Sequence, residues 1–349
     1  PNGQGPHKQD EDMSSGVKSM PGDVNNVSML DDVLSKLHKL GLLQAAEKGA
    51  LDMIHPNGES PLVMAALARD LTNLKLLVES GANVNSQTPL GRAPLIVSAE
   101  LGNLDMVKYL LENGAEVDQV NVVKATPLFA SSAAGQTDVV KHLLECKSDP
   151  NLNYSGFTSL FMAALHGHAP AAQALIDGGA LVDGVSIENQ TALYIAAQEG
   201  RVDLIDVMVK NGANLEIATR ASATPLFIAA QNAKQDAVKS LVSAKAKVDA
   251  ALHGVTTPLM MAITTGNLDM ADFLLENGAS YLGSGVAGAP SPLIVASQTG
   301  RTSMAAKLVG LGADVNQTMH GGATPLIVSS DEGQEEIVHL LLLEHDTLP

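Results

Sequence analysis

The sequence is short of cysteine, tryptophan and positive charge, and each shortage excludes a class of protein. Its 349 residues include one cysteine, no tryptophan, four Tyr and five Phe. A lone thiol at Cys146 cannot form an internal disulfide, which predicts a reducing, cytoplasmic setting. Lys and Arg number 21 against 38 Asp and Glu, so the surface would repel a phosphate backbone and we expect no nucleic-acid partner. We also expect no membrane span, because no apolar run reaches about 20 residues, and no signal peptide, because the first residues show no charged segment followed by an apolar one.

What the sequence does contain is a repeat. Pro61 and Pro325 lie 264 residues apart, which is eight intervals of 33, and Ser159 and Ala192 occupy two of the intermediate positions. The other prolines in this phase are Pro94, Pro127, Pro225, Pro258 and Pro292. About twenty residues after these markers a Gly-Ala pair follows, at Gly81, Gly114, Gly179, Gly212, Gly278 and Gly312.

Each repeated phrase predicts a local structure. Ser or Thr before the proline is a helix N-cap, and proline suits the first helical position, as in Thr224-Pro225-Leu226. A later glycine permits a turn, and a second helix follows with helical apolar spacing, as at Met106, Val107, Leu110 and Leu111. A helix pair this short cannot bury its own apolar face, so neighbouring pairs must stack into one solenoid.

This pattern resembles the ankyrin repeat, with T-P-L opening the first helix and G-A closing the second. The resemblance implies an all-α repeat protein, an ankyrin-type solenoid of stacked helix-turn-helix units with hairpin-like fingers. We expect a disordered polar tail over 1–27 and a single solenoid over 28–349. The solenoid would comprise a degenerate N-terminal capping repeat at 28–57 and nine repeats at 58–349.

The sequence departs from the family pattern in three respects, one of which is the loss of Gly-Ala at Lys147-Ser148 and Lys245-Ala246. The His of the usual T-P-L-H phrase is absent, and its column holds four of the nine aromatics, at Phe129, Phe161, Tyr194 and Phe227. These side chains either pack between repeats or form a partly exposed strip. The last unit ends in four leucines, 340–343, where a closing cap should be polar. Together with the absence of an initiator Met at Pro1, this suggests an excerpted chain, or an end that another subunit covers.

Candidate catalytic and metal-binding motifs lack their required context. The glycines of 283–288 match G-x-G-x-x-G, but they occupy a predicted finger rather than a strand-to-helix turn. His166 with His168, and Glu336 with His339, lack further metal ligands at suitable spacing. Cys146 with His142 would need a cleft with an oxyanion site. We therefore predict no enzyme, no cofactor and no metal.

The resemblance implies a protein-interaction scaffold that holds one or more partner proteins on its concave face and finger tips. The contact positions lie at the ends of the first helices, where they are amide-rich in the middle of the array and acidic at its C-terminal end. Hot spots favour Tyr and Arg, which adds Tyr154, Phe157 and Arg220 in the fingers. A solvated helix face and ordinary finger packing remain the alternatives. The candidate partner-binding residues are Tyr154, Phe157, His166, Tyr194, Gln198, Glu199, Arg220, Gln231, Asn232, Thr264, Thr265, Gln298, Asp331 and Glu332.

The resemblance also implies a modification. Some ankyrin domains are hydroxylated on a finger asparagine by an enzyme that favours Leu, five residues, then Asp-Val-Asn. Leu308 followed by Asp314-Val315-Asn316 fits this spacing, although Asp-Val-Asn is also ordinary finger sequence.

Two further functions remain open beside the adaptor. The chain could be a structural subunit or linker fixed in a larger assembly, or the targeting region of a longer multidomain protein. We expect an adaptor to be monomeric in isolation. A microbial protein delivered into a host cell is an alternative to a resident cytoplasmic one.

Overall fold

The computed structural model describes residues 50–55, 58–89, 91–153 and 156–345. The predicted tail and most of the predicted capping repeat lie outside these residues; Ala50–Asp52 form a short 3-10 helix. The described residues contain eighteen α-helices in nine pairs and no β-strand. No helix among them is long and apolar enough to cross a bilayer.

The helices are numbered along the chain, with odd numbers for the first helix of each pair. The first four are α1 Pro61–Leu67, α2 Leu71–Glu79, α3 Pro94–Glu100 and α4 Leu104–Glu112. The next six are α5 Pro127–Ala133, α6 Thr137–Glu145, α7 Ser159–His166, α8 Ala169–Asp177, α9 Ala192–Glu199 and α10 Val202–Lys210. The last eight are α11 Pro225–Gln231, α12 Gln235–Ser243, α13 Pro258–Thr265, α14 Leu268–Glu276, α15 Pro292–Gln298, α16 Thr302–Gly310, α17 Pro325–Asp331 and α18 Glu335–His345.

The predicted cap starts nearly every first helix. In eight of the nine pairs a Ser or Thr hydroxyl accepts a hydrogen bond from the backbone N–H three residues later, as Thr126 does from Phe129 at 3.1 Å. The exception is α3, where Ala93 holds the cap position without a side-chain hydrogen bond. The repeated phrase is therefore confirmed as a helix start.

A left-handed backbone residue follows each of the nine first helices, and in most of them it is the predicted glycine. Glycine takes this conformation in seven of the pairs, at Gly102, Gly135, Gly167, Gly200, Gly266, Gly300 and Gly333. Arg69 and Ala233 adopt it at the equivalent positions with φ of 56° and 53°. A residue with a Cβ is strained in this region, so glycine would fit these two turns better than Arg69 and Ala233 do.

The chain divides into two compact units at Val123–Lys124. In the first unit α3 packs on α1 and α4 packs on α2. Arg92 forms an ion pair there with Glu59, whose side chain is 6% exposed. Burial raises the pKa of the Glu59 carboxyl, and the nearby Arg92 partly opposes the rise.

The second unit holds α5 to α18. Each first helix packs against the first helix of the next pair, from α5 to α17. The second helices are amphipathic and turn their apolar side inward; in α10, for example, Leu204, Ile205 and Met208 are fully buried. The core is mainly aliphatic, as the composition predicts. Each pair buries its apolar side only against its neighbours.

We predict that Ala233→Gly stabilises the protein. Glycine removes the left-handed strain at a solvent-exposed turn and should raise the free energy of unfolding by about 1 kcal/mol, measured by urea denaturation. Ala230→Gly, a buried position inside α11, is the control and should lower the free energy by about 1 kcal/mol. A lowered stability in both variants would contradict the strain at Ala233.

We predict that Leu204→Ala destabilises the second unit. The side chain is fully buried between helix pairs, so the cavity should cost about 2–5 kcal/mol of unfolding free energy, seen as an earlier urea midpoint. Leu181→Ala removes the same atoms from a side chain that is 66% exposed, and its stability should change by less than about 0.5 kcal/mol. Equal losses would show that inter-pair burial does not govern stability.

Candidate functional site

The contact column consists of the two residues at the C-terminal end of each first helix in the second unit. A left-handed turn residue follows directly after each of these pairs of positions. From α11 onward most of the column is exposed: Gln231, Asn232, Thr264, Thr265, Gln298, Asp331 and Glu332. In α7 and α9 it is half-buried, at Leu165, His166, Gln198 and Glu199.

The exposed threonines use their hydroxyl protons internally. Thr264 donates to the Met260 carbonyl at 2.8 Å, and Thr265 donates to the Met261 carbonyl at 3.0 Å. A hydroxyl whose proton is held this way presents its methyl group and an oxygen lone pair to a partner. Near α13 the column therefore offers hydrogen-bond acceptors beside small apolar surface.

The amides form hydrogen bonds both within a pair and between neighbouring pairs. Gln198 donates from Nε2 to the Glu199 carboxylate at 3.2 Å, and Asn232 donates from Nδ2 to the Gln198 carbonyl at 3.4 Å. Gln231 and Gln298 are exposed. An amide can donate and accept at once, so this part of the column suits a peptide backbone or polar side chains.

His166 and His168 stand together at the turn between α7 and α8. Their ring centroids are 6.3 Å apart, and His168 Nε2 lies 3.1 Å from the Ala133 carbonyl oxygen. Burial lowers the pKa of His166, and neighbouring His168 lowers it further. Within the described ranges no three or more His, Cys, Asp or Glu side chains come together as metal ligands would.

The fingers hold the other predicted contacts. Phe157 is half-buried and packs on Phe161, with ring centroids 4.8 Å apart. Arg220 is 68% exposed at its side chain and lies 3.7 Å from the Glu188 carboxylate. Tyr154 falls outside the described residues. The glycine-rich segment 283–288 is a finger with three left-handed glycines, and α15 begins only at Pro292.

The aromatic column packs inside the stack. Phe161, Tyr194 and Phe227 are 4%, 6% and 1% exposed, and Phe129 is half-buried. Tyr194 therefore contributes to the packing between helix pairs rather than to an exposed strip. Cys146 Sγ lies 3.7 Å from His142 Nε2 at the end of a surface helix.

Sequence reasoning missed an apolar surface on one finger. The finger patch comprises Leu181, Val185 and Ile187, which are 66%, 38% and 60% exposed. Ser186 lies between Val185 and Ile187 in the sequence and is buried, so the side chains of Val185 and Ile187 both point to solvent. A signal was present, because Leu181 occupies the place of Glu116 and Asp314 in other fingers.

Comparison with known proteins agrees with the repeat architecture. The chain matches the family model of ankyrin repeats (three copies), a module that generally mediates protein–protein interaction, at residues 32–121, 128–219, 180–251 and 218–284. No curated protein matches the chain. The matched segments cover most of the sequence and take in the helix pairs from α1 to α14, so this chain belongs to the ankyrin-repeat family.

Proposed function

We propose that the chain is a non-catalytic adaptor that holds a segment of a partner protein along the contact column and the fingers of the second unit. The supporting observation is the run of exposed polar side chains from Gln231 to Glu332, repeated at the ends of α11, α13, α15 and α17. Repeated side chains at a fixed spacing suit an extended ligand, which can contact successive pairs with successive residues.

The chemistry along the column changes with position. Amides and hydroxyls stand at α11 and α13, whereas Asp331 and Glu332 stand at α17. Residues 261–349 hold ten acidic residues and two basic ones, and residues 220–260 hold five basic and two acidic. A partner segment with a basic part would be oriented toward the α17 end, because complementary charge steers encounter. The finger patch would add an apolar anchor beside this polar surface.

The contact column is built for recognition rather than for reaction. Its threonine hydroxyls donate to backbone carbonyls of their own helices, so neither is hydrogen-bonded to a side-chain base that could activate it. The proposed adaptor works inside the cell, in a reducing compartment that suits the free thiol of Cys146. It is a monomer, either as a resident protein or as a microbial one delivered into a host cell.

A structural subunit of a larger assembly is the second candidate. The exposed Leu342 and Leu343, at 46% and 69%, favour it because large apolar side chains at one end of a stack suit a permanent neighbour. The same end would also suit the targeting region of a longer protein.

We further propose that Asn316 is open to hydroxylation. Asn151, at the same finger position, donates to the Gly179 carbonyl at 3.0 Å and accepts from the Leu181 N–H at 2.8 Å, which engages its side chain with the next finger. The Asn316 side chain is exposed and makes no such bond to another described residue. An enzyme could therefore reach Asn316 without separating two fingers.

We predict that mass spectrometry of protein from cells with an asparaginyl hydroxylase finds one added oxygen on Asn316 and none on Asn151. The physical reason is that the Asn151 amide is hydrogen-bonded between fingers. An unmodified Asn316 in such cells, or equal modification of both residues, would contradict this expectation.

We predict that the triple variant Gln231→Lys, Thr264→Lys, Gln298→Lys loses partners. Partners retained by the full chain from native lysate are identified by mass spectrometry, and the affinity of each is then measured by titration. The variant should bind at least about tenfold more weakly, since three charges would be buried without counter-charges.

The matched control is Ser243→Lys, Ser303→Lys, Ala306→Lys, which adds equal charge at exposed positions of α12 and α16. Partners kept by the column variant and lost by this control would place binding on the second helices and refute the proposal. If both variants retained the partners, the binding surface would lie outside the contact column.

A further inference from the structure

A repeated hydrogen bond joins successive fingers of the second unit. A side-chain oxygen of one finger accepts from a backbone N–H of the next finger, as the Asn151 amide oxygen does from Leu181 at 2.8 Å. The same bond recurs at the next three fingers with carboxylates as acceptors: Asp183 from Asn214 at 2.9 Å, Glu216 from Lys247 at 2.8 Å and Asp249 from Ser280 at 3.0 Å. We call these four bonds the finger ladder.

Leu282 interrupts the finger ladder at the following finger. It occupies the acceptor position, and a leucine side chain has no oxygen to offer. The N–H of Asp314 occupies the next donor position, and it makes no hydrogen bond with a residue that the structure describes. The carbonyl of Gly312 is likewise without a hydrogen-bond donor among the described residues. This step therefore leaves open a donor that the four preceding steps use.

A groove of about 540 Å³ lies between the two fingers at this step. One wall belongs to the glycine-rich finger and is apolar, with Leu282 and Val286 51% and 47% exposed. The other wall is polar and consists of Asp314, Asn316, Gln317 and Thr318. The N–H of His320 donates to the Gly288 carbonyl at 2.8 Å, so a hydrogen bond still joins the two fingers at another point. The groove thus combines an open backbone donor with exposed aliphatic side chains.

The other fingers show which chemical group fits the open positions. The amide oxygen of Asn151 accepts from the next finger, and its amide nitrogen donates to the Gly179 carbonyl at 3.0 Å. Asn85 makes the same pair of bonds in the first unit. The Asp314 N–H and the Gly312 carbonyl hold the equivalent positions of their finger, so a primary amide matches both of them.

Charge favours an amide over a carboxylate at this step. The carboxylates of the finger ladder accept from residues that are not acidic: Asn214, Lys247 and Ser280. Glu116, an acidic residue at the same finger position as Asp314, donates instead to the neutral amide of Asn85 at 2.8 Å. A second carboxylate beside Asp314 would meet like charge, whereas an amide would not.

We propose that this groove binds an extended segment of a partner protein through an asparagine side chain. The asparagine oxygen accepts from the Asp314 N–H, and its nitrogen donates to the Gly312 carbonyl. An aliphatic side chain two residues away packs on Leu282 and Val286, because side chains two residues apart lie on the same side of an extended chain. The inference rests on the proposed adaptor role of the fingers and adds the chemistry that the partner segment must carry.

The test titrates a synthetic peptide of about ten residues into the isotope-labelled full chain, followed by nuclear magnetic resonance. The peptide carries one asparagine, a leucine two positions later, and serine and threonine elsewhere. The Asp314 amide proton should move downfield because it gains an acceptor. A peptide with alanine in place of the asparagine should bind at least about tenfold more weakly. A peptide with aspartate in that place should also bind more weakly, because its charge would meet that of Asp314.

The variant Leu282→Asn should supply the missing amide from the chain itself. In the free variant the Asp314 amide proton should already lie downfield, and the asparagine peptide should bind at least about tenfold more weakly because its place is taken. The matched control is Leu181→Asn, which makes the same change at an exposed leucine of another finger. It should alter neither the Asp314 signal nor the affinity. Circular dichroism verifies that both variants are folded.

Several outcomes would overturn the proposal. They are absence of peptide binding, binding that leaves the Asp314 signal unmoved, equal affinities of the asparagine and alanine peptides, or equal losses in Leu282→Asn and Leu181→Asn. Tighter binding of the aspartate peptide would contradict the choice of an amide.

A comparison with the contact column distinguishes failure of this inference from failure of the adaptor proposal. The variant Gln231→Lys, Thr264→Lys, Gln298→Lys should bind the asparagine peptide as the unaltered chain does. If that variant loses the partners from lysate while Leu282→Asn keeps them at full affinity, the adaptor role stands and the groove has no part in it.

Discussion

Every feature of this protein depends on one constraint: a helix pair of about twenty residues buries its apolar side only when another pair lies against it. The odd-numbered helices of the second unit are in contact in succession, and their aliphatic side chains are nearly inaccessible to water. The sequence meets this constraint with small and aliphatic residues instead of aromatics, because the spacing between stacked helices leaves little room. Local signals then have only to start, turn and end each helix.

The same constraint produces the surfaces that can bind. Side chains at equivalent positions of successive pairs form rows, and a row is buried or exposed according to where its position lies relative to the neighbouring pair. The Phe161, Tyr194 and Phe227 row lies between pairs and is buried, whereas the row that includes Gln231 and Gln298 lies at the helix ends and is exposed. Such a protein therefore binds a partner with side chains at equivalent positions of successive helix pairs, and each pair contacts a different part of the partner.

The positions at which one pair carries a different kind of side chain from the other pairs say most about function. The finger patch replaces charged finger residues with Leu181 and Ile187, and α18 replaces a hydrophilic position with Leu343. Neither change improves the packing inside the stack, because all three side chains are largely in water. An exposed large apolar group is tolerated at small cost and suits contact with another molecule. Side chains that stand over the turn glycines of the preceding pair, such as Arg201 over Gly167 and Gln334 over Gly300, are in contrast part of the stack.

The sequence by itself determined the local structure and the family. The helix starts at Ser or Thr before proline, the left-handed turn glycines and the amphipathic second helices follow from hydrogen bonding and backbone sterics within a few residues, so they could be predicted at their positions. Exposure could not, because it depends on what lies beyond each residue in space. Sequence alone therefore left Tyr194 open as either a packed or an exposed residue, and for Leu181 it offered only the charged residues at the same position of other fingers, which do not establish that this side chain lies in water. Only the tertiary structure decided which rows are covered, since burial arises when separate helix pairs are brought together.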